Sequence, residues 1–342
     1  MNFASDNSSG VPQQVLDALA RVNAGYALPY GNDPETQAAI AALRATFEAP
    51  DAEIVFVPTG TAANALALAL MCPPWGAVFC HRLAHVEVDE CGAPEFFIGG
   101  SKLKLIDGPD AQVTPEALET ALDLAGRSVH QVQPAALSLT NLTECGTVYT
   151  PDQIGALARL AHDRGLAVHL DGARFANALV ATGASPAAMS WQAGVDILTL
   201  GGTKNGLIAA EAVIVFDPAK AWELQLRRKR AGQLVSKCRF VSAQFNAWLH
   251  DGLWLDLAAR ANAAAESMER ELLAVPGVTL RHPRHGNMLF AEWSQDADAR
   301  ARAAGASYYP MRARDGRAAA RLVCSWNTPT QAIEALAAAL RG

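Results

Sequence analysis

Short apolar runs alternate with longer amphipathic segments between residues 50 and 216. Seven runs have the length and composition of buried strands, and they lie at 53–57, 77–81, 102–106, 135–139, 166–170, 196–200 and 212–216. Helical segments are predicted between them at 61–71, 115–125, 151–164 and 185–193. Strands that alternate with helices form a mostly parallel sheet covered on both faces, so the pattern predicts a seven-stranded α/β domain.

Two of these helices carry clear start signals. Thr114 followed by Pro115 and Thr150 followed by Pro151 each place a capping hydroxyl before a proline in the first turn, and Gly165 ends the second helix. Proline is favoured there because the first N–H groups of a helix have no internal acceptor.

The pattern changes after residue 217. Helical periodicity covers 218–275 with a break near 251–254. Short strands at 278–282, 288–293 and 320–326 follow, and a helix at 330–341 ends the chain. We expect a large domain over residues 1–236 and a small α+β domain over residues 237–342.

Composition and charge narrow the class of protein. The chain has 342 residues, of which 51% are hydrophobic and 18% charged, and its net charge is −6. A net negative charge argues against nucleic acid or an anionic membrane as partner. The basic run at 227–230 is typical of a solvated helix face.

The chain shows no targeting or metal-binding pattern. Its first ten residues lack a basic stretch followed by an apolar one, and its longest apolar stretch is too short to span a bilayer. The six cysteines form no close CxxC pair, which argues against a disulfide framework or a zinc site. We expect a cytoplasmic protein without a bound metal.

Three charged residues follow two of the predicted strands where these strands end. Asp171 and Arg174 come after the strand at 166–170, and Lys204 comes after the strand at 196–200. Ligands of open α/β sheets bind at the carboxyl edge, so these side chains are predicted to share one site.

Gly60 and Thr61 lie where the strand at 53–57 leads into a helix. A helix start presents unpaired N–H groups, Gly60 allows close approach of the backbone to an anion, and Thr61 adds a hydroxyl. The segment matches neither the Walker nor the GxGxxG pattern. Alone it is more typical of a tight capped turn, and its interpretation as a phosphate site depends on the other residues.

Lys204 lies in "GGTKNG" (201–206), where flanking glycines are expected to leave room for a planar group and Thr203 adds a donor. Such a lysine can form a Schiff base if its pKa is lowered, although most loop lysines point into solvent. Asp171 is costly to bury without a cation or donor, and a protonated pyridine nitrogen is such a cation. These residues, with a phosphate-binding turn, are what pyridoxal 5′-phosphate (PLP) requires.

His85, after the strand at 77–81, is predicted to lie flat on the pyridine ring opposite Lys204. Without the PLP hypothesis, a core or surface histidine would be the simpler interpretation. A purely structural role is expected for the histidines at 81, 162, 250, 282 and 285.

With these residues assembled, the chain resembles the threonine aldolases of the β-eliminating lyase family, and within them the bacterial low-specificity branch. Ordered blocks along nearly the whole chain carry the resemblance: 3–10, 30–33, 60–68, 84–97, 143–149, 171–178, 201–206, 231–237 and 321–328. Asn7 stands where many members have threonine, and the closest branch shares this asparagine. The segment 298–320 matches nothing in the family pattern. The resemblance implies the type I fold of PLP-dependent transferases.

The resemblance also implies roles for matching positions. Lys204 would be bound covalently to PLP. The implied cofactor-binding residues are Gly60, Thr61, His85, Asp171, Arg174, Thr203, Lys204 and Lys229. The implied substrate-binding residues are Ser5, Tyr30, Arg174 and Arg321, and the implied catalytic residues are Lys204, His85, Asp89, Glu90 and His130. Tyr30 and Lys229 would come from a neighbouring subunit of a homotetramer, a dimer of dimers. The sequence around His130 matches poorly.

The implied reaction is retro-aldol cleavage of L-threonine, L-allo-threonine and related β-hydroxy-α-amino acids to glycine and an aldehyde. The base could be His85 or a water held by Glu90, and both rank ahead of His130. Alternatives are aldol cleavage specialised for phenylserine or hydroxyaspartate, racemisation, or β-elimination on the same fold. A non-catalytic PLP-binding or regulatory protein is a weaker alternative, because the residues for catalysis are present and no DNA-binding segment is visible.

Overall fold

The computed structural model describes residues 1–126, 128–313 and 315–342. The helices of these residues are α1 (Gln13–Val22), α2 (Pro34–Thr46), α3 (Gly60–Met71), α4 (His85–Val88), α5 (Ala93–Ile98), α6 (Pro115–Asp123), α7 (Pro151–Asp163), α8 (Phe175–Thr182), α9 (Ala221–Arg230), α10 (Arg239–Leu249), α11 (Leu253–Leu273), α12 (Gln295–Ala303) and α13 (Thr330–Arg341).

The strands form two sheets. Those of the large sheet are β1 (Glu53–Val57), β2 (Gly76–His81), β3 (Lys102–Ile106), β4 (Gln133–Thr140), β5 (Ala167–Gly172), β6 (Ile197–Gly201) and β7 (Glu211–Val215). Those of the small sheet are β8 (Thr279–Leu280), β9 (Met288–Trp293), β10 (Tyr309–Met311) and β11 (Ala318–Val323).

The large sheet has the order β1-β7-β6-β5-β4-β2-β3. Only β7 runs antiparallel to its neighbours β1 and β6. The carboxyl ends of the six parallel strands therefore share one edge, and β7 begins at that edge because Glu211 pairs with Gly201. The predicted mostly parallel, seven-stranded α/β fold is confirmed. The small sheet has the order β10-β11-β9-β8 and is antiparallel.

Alternation along the strands buries both faces of the large sheet. In β1, Ile54 and Phe56 join one apolar cluster with side chains of α1, α2, α6, α7, α8 and α10. Val55 and Val57 join a second cluster with α3, α5 and α9. Period-two alternation sends successive side chains to opposite faces, and here both faces are covered by helices.

The predicted capping threonines are confirmed. The side chain of Thr114 accepts a hydrogen bond from Ala117 N, and Thr150 and Gln153 form a reciprocal capping box at the start of α7. These bonds satisfy N–H groups that have no acceptor within their helix.

The predicted helix at 185–193 is wrong. This segment forms turns and one 3₁₀ turn at Trp191–Ala193. Pro186 cannot donate a backbone hydrogen bond, and Ser190 Oγ donates to Pro186 O at 2.6 Å, which favours turns over a regular helix. The helix in this part of the chain is instead α8, directly after Arg174.

The long helical segment after residue 217 has one more break than predicted. It is interrupted at 231–238, where Gly232 has a φ of 73°, as well as at 250–252. A positive φ disfavours residues with a side chain and ends α9.

Helix α11 contributes to two hydrophobic cores. Trp254 and Leu257 in its first turns pack in the core of the large sheet. Met268 and Leu272 near its end pack in a second core with the small sheet and α13. Phe3 of the amino-terminal segment also lies in this second core. The division into domains at residues 236 and 237 stays a prediction.

Candidate active site

A cavity of about 640 Å³ opens at the carboxyl edge of the large sheet. Loops after β1, β2, β4, β5 and β6 reach it, and so do the small sheet and the amino-terminal segment. Of the predicted site residues, Ser5, Gly60, His85, Asp89, Asp171, Arg174, Lys204 and Arg321 line it.

The start of α3 forms one end of this cavity. Thr59 is the capping residue, and its side chain accepts a hydrogen bond from Ala62 N at 3.2 Å. The N–H groups of Gly60 and Thr61 precede the first acceptor that the helix can provide. A Cβ built on Gly60 would meet no atom within 4 Å, so the glycine keeps an open space beside these amides. The space and the amides fit a phosphate.

Asp171 lies at the end of β5 and is buried. Its Oδ1 accepts from Ala173 N at 2.9 Å, and its Oδ2 accepts from Asn64 Nδ2 at 2.9 Å. Thr199 Oγ1 donates to Asn64 Oδ1 at 2.8 Å, which orients the amide so that its NH₂ group faces the carboxylate. Sequence reasoning missed Asn64, although it is the one amide in an otherwise apolar helix.

His85 begins α4, and its Nδ1 lies 2.8 Å from Glu90 Oε1. The same Glu90 oxygen accepts from Asn64 Nδ2 at 2.8 Å, so Asn64 bridges Glu90 and Asp171. The hydrogen bond that His85 donates to Glu90 raises the pKa of His85, and burial raises the pKa of Glu90. Both directions favour a proton held between the two side chains.

Glu144 also contacts His85, and sequence reasoning did not predict this residue. Its Oε1 accepts from the backbone N–H of His85 at 2.9 Å, while its Oε2 is buried and has no hydrogen-bond partner among the described residues. Burial raises the pKa of Glu144 to about 7. The block "TECGTVY" contains this residue, but the spacing carries no signal for its role.

Lys204 lies in a 3₁₀ turn after β6 and is half-buried. Burial, and then the nearby charge of Arg174, lower its pKa. Two hydrogen bonds hold this turn in place. Asn205 Nδ2 donates to Trp254 O at 2.8 Å, and Gly202 N donates to Glu211 Oε2 at 3.2 Å. A lowered pKa keeps more of the amine unprotonated and nucleophilic.

The glycines around Lys204 have a role in packing the protein backbone. A Cβ on Gly201 would lie 2.7 Å from the backbone of Ala173, and one on Gly202 would lie 2.6 Å from Ala210 O. Gly206 has a φ of 96°. These glycines therefore allow close packing of the protein backbone and a left-handed turn, and the expectation that they leave room for a ring stays a prediction.

Arg174 and Arg321 form a cationic end of the cavity. Arg174 Nε and Nη2 donate to both oxygens of Asp6 at 2.8 and 2.9 Å, which occupies the edge predicted to bind a substrate carboxylate. Burial acts to raise the pKa of Asp6, but the Arg174 ion pair, together with Lys204 and the Asn287 hydrogen bond, outweighs burial and lowers this pKa. Arg174 Nη1 makes no hydrogen bond to any described residue, so it remains as a donor. Sequence reasoning missed Asp6.

Arg321 lies on β11 and reaches the cavity from the small sheet. Its guanidinium carbon lies 4.8 Å from the centre of the Tyr309 ring, and its Nη2 donates weakly to Ala4 O at 3.4 Å. Arg321 Nε is buried and has no acceptor within the described part of the chain. Burial, and then the charge of Arg174, lower the pKa of Arg321. An anion at this position would satisfy both guanidinium groups.

The remaining predicted residues are placed differently. Ser5 Oγ accepts from Asn7 N at 3.1 Å, and Asp89 is exposed at the cavity rim. Thr203 Oγ1 accepts from Ala210 N at 3.2 Å. Thr61 and Thr203 are half-buried and do not line the cavity.

Three further predicted residues are exposed and lie away from the cavity of this chain. Tyr30 and Lys229 are exposed and contact each other, with the Lys229 ammonium 5.2 Å from the ring centre. His130 is exposed in a turn before β4, at the amino edge of the sheet. The structure therefore does not bring His130 together with Lys204.

The described residues show neither a candidate metal site nor a helix that could span a membrane. Over 1–126, 128–313 and 315–342, no three His, Cys, Asp or Glu side chains are grouped so that they could hold a metal ion. Within those same ranges, no helix combines the length and apolar character needed to cross a membrane.

Comparison with known proteins gives consistent matches. Residues 2–294 match the sequence model of the β-eliminating lyase family. The chain is 42% identical over 339 residues to a low specificity L-threonine aldolase from Pseudomonas aeruginosa, covering 99% of this chain and 96% of that protein.

Solved structures also match. A threonine aldolase from Leishmania major superposes with a TM-score of 0.94 and 29% identity, covering 99% of this chain and 98% of that one. A structure of SPT with PLP has a TM-score of 0.72 at 13% identity, covering 100% of this chain and 86% of that chain. The second likeness concerns the fold alone.

Proposed function

Because the chain belongs to the β-eliminating lyase family, we propose that it is a PLP-dependent aldolase, a carbon–carbon lyase. It cleaves L-threonine, L-allo-threonine and related β-hydroxy-α-amino acids to glycine and an aldehyde. The observation that carries this proposal is that Lys204, Asp171 and His85 line one cavity, with two arginines at its other end. The Pseudomonas and Leishmania relatives, both threonine aldolases, support the same reaction.

The residues present fit PLP. Gly60 leaves an open space beside free amides for the phosphate, and Asp171 is a buried carboxylate for the pyridine nitrogen. Lys204 has a lowered pKa, as a Schiff-base lysine needs. When bound, PLP withdraws electrons from the bond that breaks at the substrate Cα. Asp171 and Lys204 would hold the cofactor, with His85 against its ring and Thr61, Thr203 and Lys229 at its phosphate.

Arg321 and the free edge of Arg174 bind the substrate carboxylate, with Ser5 beside them. By holding the carboxylate, these arginines would select which bond at Cα is activated when the cofactor is bound, and in an aldolase that bond is Cα–Cβ. The ion pair with Asp6 fixes the plane of the Arg174 guanidinium, so that Nη1 points from a defined position.

His85 is the proposed base for the β-hydroxyl proton. Its Nδ1 is fixed by Glu90, which leaves Nε2 to accept the proton. The Asn64 amide donates to Glu90 and keeps it in place. The Glu144 carboxylate accepts from the backbone N–H of His85 and keeps His85 in place. A water held by Glu90, near Asp89, is the second candidate. His130 stays a weaker candidate because it lies outside the cavity of its own chain.

We also propose a homotetramer built as a dimer of dimers, in which Tyr30 and Lys229 complete the site of a neighbouring subunit. Both side chains are exposed and adjacent, as a shared patch requires. A cytoplasmic location is proposed because the cysteines at 72, 80, 91, 145, 238 and 324 are all free thiols, which suits a reducing compartment.

The test is product analysis. Purified protein with PLP is incubated separately with L-threonine, L-allo-threonine and phenylserine, and glycine and aldehyde are measured. Equal amounts of glycine and aldehyde are expected. Ammonia with 2-oxobutanoate from the threonines, or with phenylpyruvate from phenylserine, would instead identify a β-eliminating lyase. Cleavage of phenylserine without threonine would identify a specialised aldolase.

A further inference from the structure

One wall of the cavity has no role in the proposed chemistry so far. Gly60, Asp171 and Lys204 mark the cofactor end, and Arg174 and Arg321 mark the carboxylate end. The wall that remains carries the apolar side chains of Leu142, Met288, Phe290 and Met311, together with His282. With the cofactor and the carboxylate at the other two ends, this wall would face the part of the substrate beyond Cβ.

His282 forms a fixed pair with Asp110 at this wall. His282 Nδ1 lies 2.7 Å from Asp110 Oδ1. The backbone carbonyl of Asp110 accepts from the hydroxyl groups of Thr143 and Thr147 at 3.0 and 2.9 Å, which anchors the carboxylate from the large sheet side. Asp110 also has a φ of 52°, a costly conformation that the two hydroxyl bonds hold in place.

The pair leaves one ring nitrogen for a ligand. A carboxylate oxygen accepts, so the network assigns the proton to Nδ1 and leaves a lone pair on Nε2. The His282 ring meets the Phe290 ring edge-on, with centres 5.3 Å apart at 87°, which fixes its plane. Nε2 makes no hydrogen bond to any residue that the structure describes.

Two acidic side chains border this wall, because Glu144 lines the cavity and Asp110 pairs with His282. Burial raises the pKa of the Cys145 thiol to about 12, and both acidic groups add to this effect. A substrate carboxylate at this wall would approach these two acidic groups, whereas a hydroxyl group would meet the lone pair on Nε2. The wall therefore disfavours hydroxyaspartate and favours an uncharged side chain with a hydroxyl group.

We infer that the His282–Asp110 pair is a specificity determinant that accepts a hydrogen bond from a hydroxyl group on the substrate side chain beyond Cβ. The apolar residues around it pack against the carbon frame of that side chain. The substrate class is thus uncharged β-hydroxy-α-amino acids that carry a second, distal hydroxyl. This inference rests on the proposed aldolase function.

The test compares kcat/KM for phenylserine and for its three ring-hydroxylated isomers. We expect the wild type to favour at least one hydroxylated isomer by about fivefold, the value of one net hydrogen bond. His282→Phe, which keeps the edge-on ring contact, should bring that ratio to within twofold of one. His282→Gln, which restores an acceptor, should recover part of the preference.

Asp110→Asn adds a signature that a merely structural role would not give. The amide donates to Nδ1, so the proton moves to Nε2, and the ring then donates instead of accepting. The ratio of kcat/KM for methoxy-substituted over hydroxy-substituted phenylserine should rise relative to the wild type. The matched control is His162→Phe, because His162 forms a similar pair with Asp196 on the surface, away from this cavity.

The outcomes separate the two proposals. If the wild type releases no glycine from any substrate, the proposed function is wrong. If it cleaves all four substrates but shows no preference, or if His282→Phe leaves every ratio within twofold of the wild type, the inference is overturned and the function stands. An equal change in the His162→Phe control would also overturn it.

Discussion

Asn64 is the residue whose replacement tests the site most directly. Leucine has the same number and branching of side-chain heavy atoms, so Asn64→Leu removes polar groups without leaving a void. The change removes the two hydrogen bonds that the Asn64 amide donates, to Glu90 Oε1 at 2.8 Å and to Asp171 Oδ2 at 2.9 Å. It also leaves the Thr199 hydroxyl without the acceptor that it uses at 2.8 Å.

The structure sets the size of the effect. A hydrogen bond to an ionised group contributes roughly 1.5–3 kcal/mol, and two are lost here. Asp171 keeps Ala173 N and Glu90 keeps His85, which softens the loss. We therefore expect Asn64→Leu to lower the free energy of unfolding by about 3–4 kcal/mol. The affinity for PLP should also fall, because the carboxylate of Asp171 loses one of its two restraints.

The assay is urea unfolding, with PLP affinity measured by titration of the cofactor's absorbance. Thr199→Val is the matched control, since it removes only the hydroxyl that orients the Asn64 amide and should cost about 1 kcal/mol. A loss below 1 kcal/mol in Asn64→Leu, or an equal loss in both variants, would refute the bridging role of this amide.

Other variants test the remaining parts of the site. Lys204→Ala should abolish turnover and the visible absorbance of bound PLP, and full aldol cleavage by this variant would end the assignment. Asp171→Ala should weaken PLP binding and activity greatly, whereas unchanged affinity would make the carboxylate merely structural. Arg321→Ala should raise KM for threonine by at least about tenfold, and a change confined to aldehyde preference would contradict its role. Burial raises the pKa of Glu211 to about 7, so the contribution of Glu211 to stability falls as the pH rises from about 4.5 to 7. Glu211→Gln should therefore gain more stability over the wild type in urea unfolding at pH 8 than at pH 5, and a pH-independent difference would count against this reasoning.

Much of the architecture could be predicted because strands and caps leave local signals. The seven strand predictions fall on β1 to β7, and Thr114 and Thr150 cap their helices as expected. The helix predicted at 185–193 is wrong because the apolar spacing of this segment suits a helix, whereas Pro186 and the Ser190 hydroxyl favour turns.

The cavity could be predicted only where topology brings strand ends together. Asp171 and Lys204 follow neighbouring parallel strands, so their proximity follows from the order of the sheet. Asp6 and His282 come from distant parts of the chain, and no spacing connects Asp6 to Arg174 or His282 to Asp110.

Helix α11 spans about 30 Å at the standard rise of an α-helix. The carbonyl of Trp254 in its first turn holds the loop that carries Lys204, while its last turns pack in the small-sheet core, whose strand β11 carries Arg321. One helix therefore connects the loop of Lys204, the proposed cofactor residue, with the small sheet, whose Arg321 is proposed to bind the substrate carboxylate. If the small sheet tilts when a substrate binds, this helix would transmit the movement to the loop of the lysine.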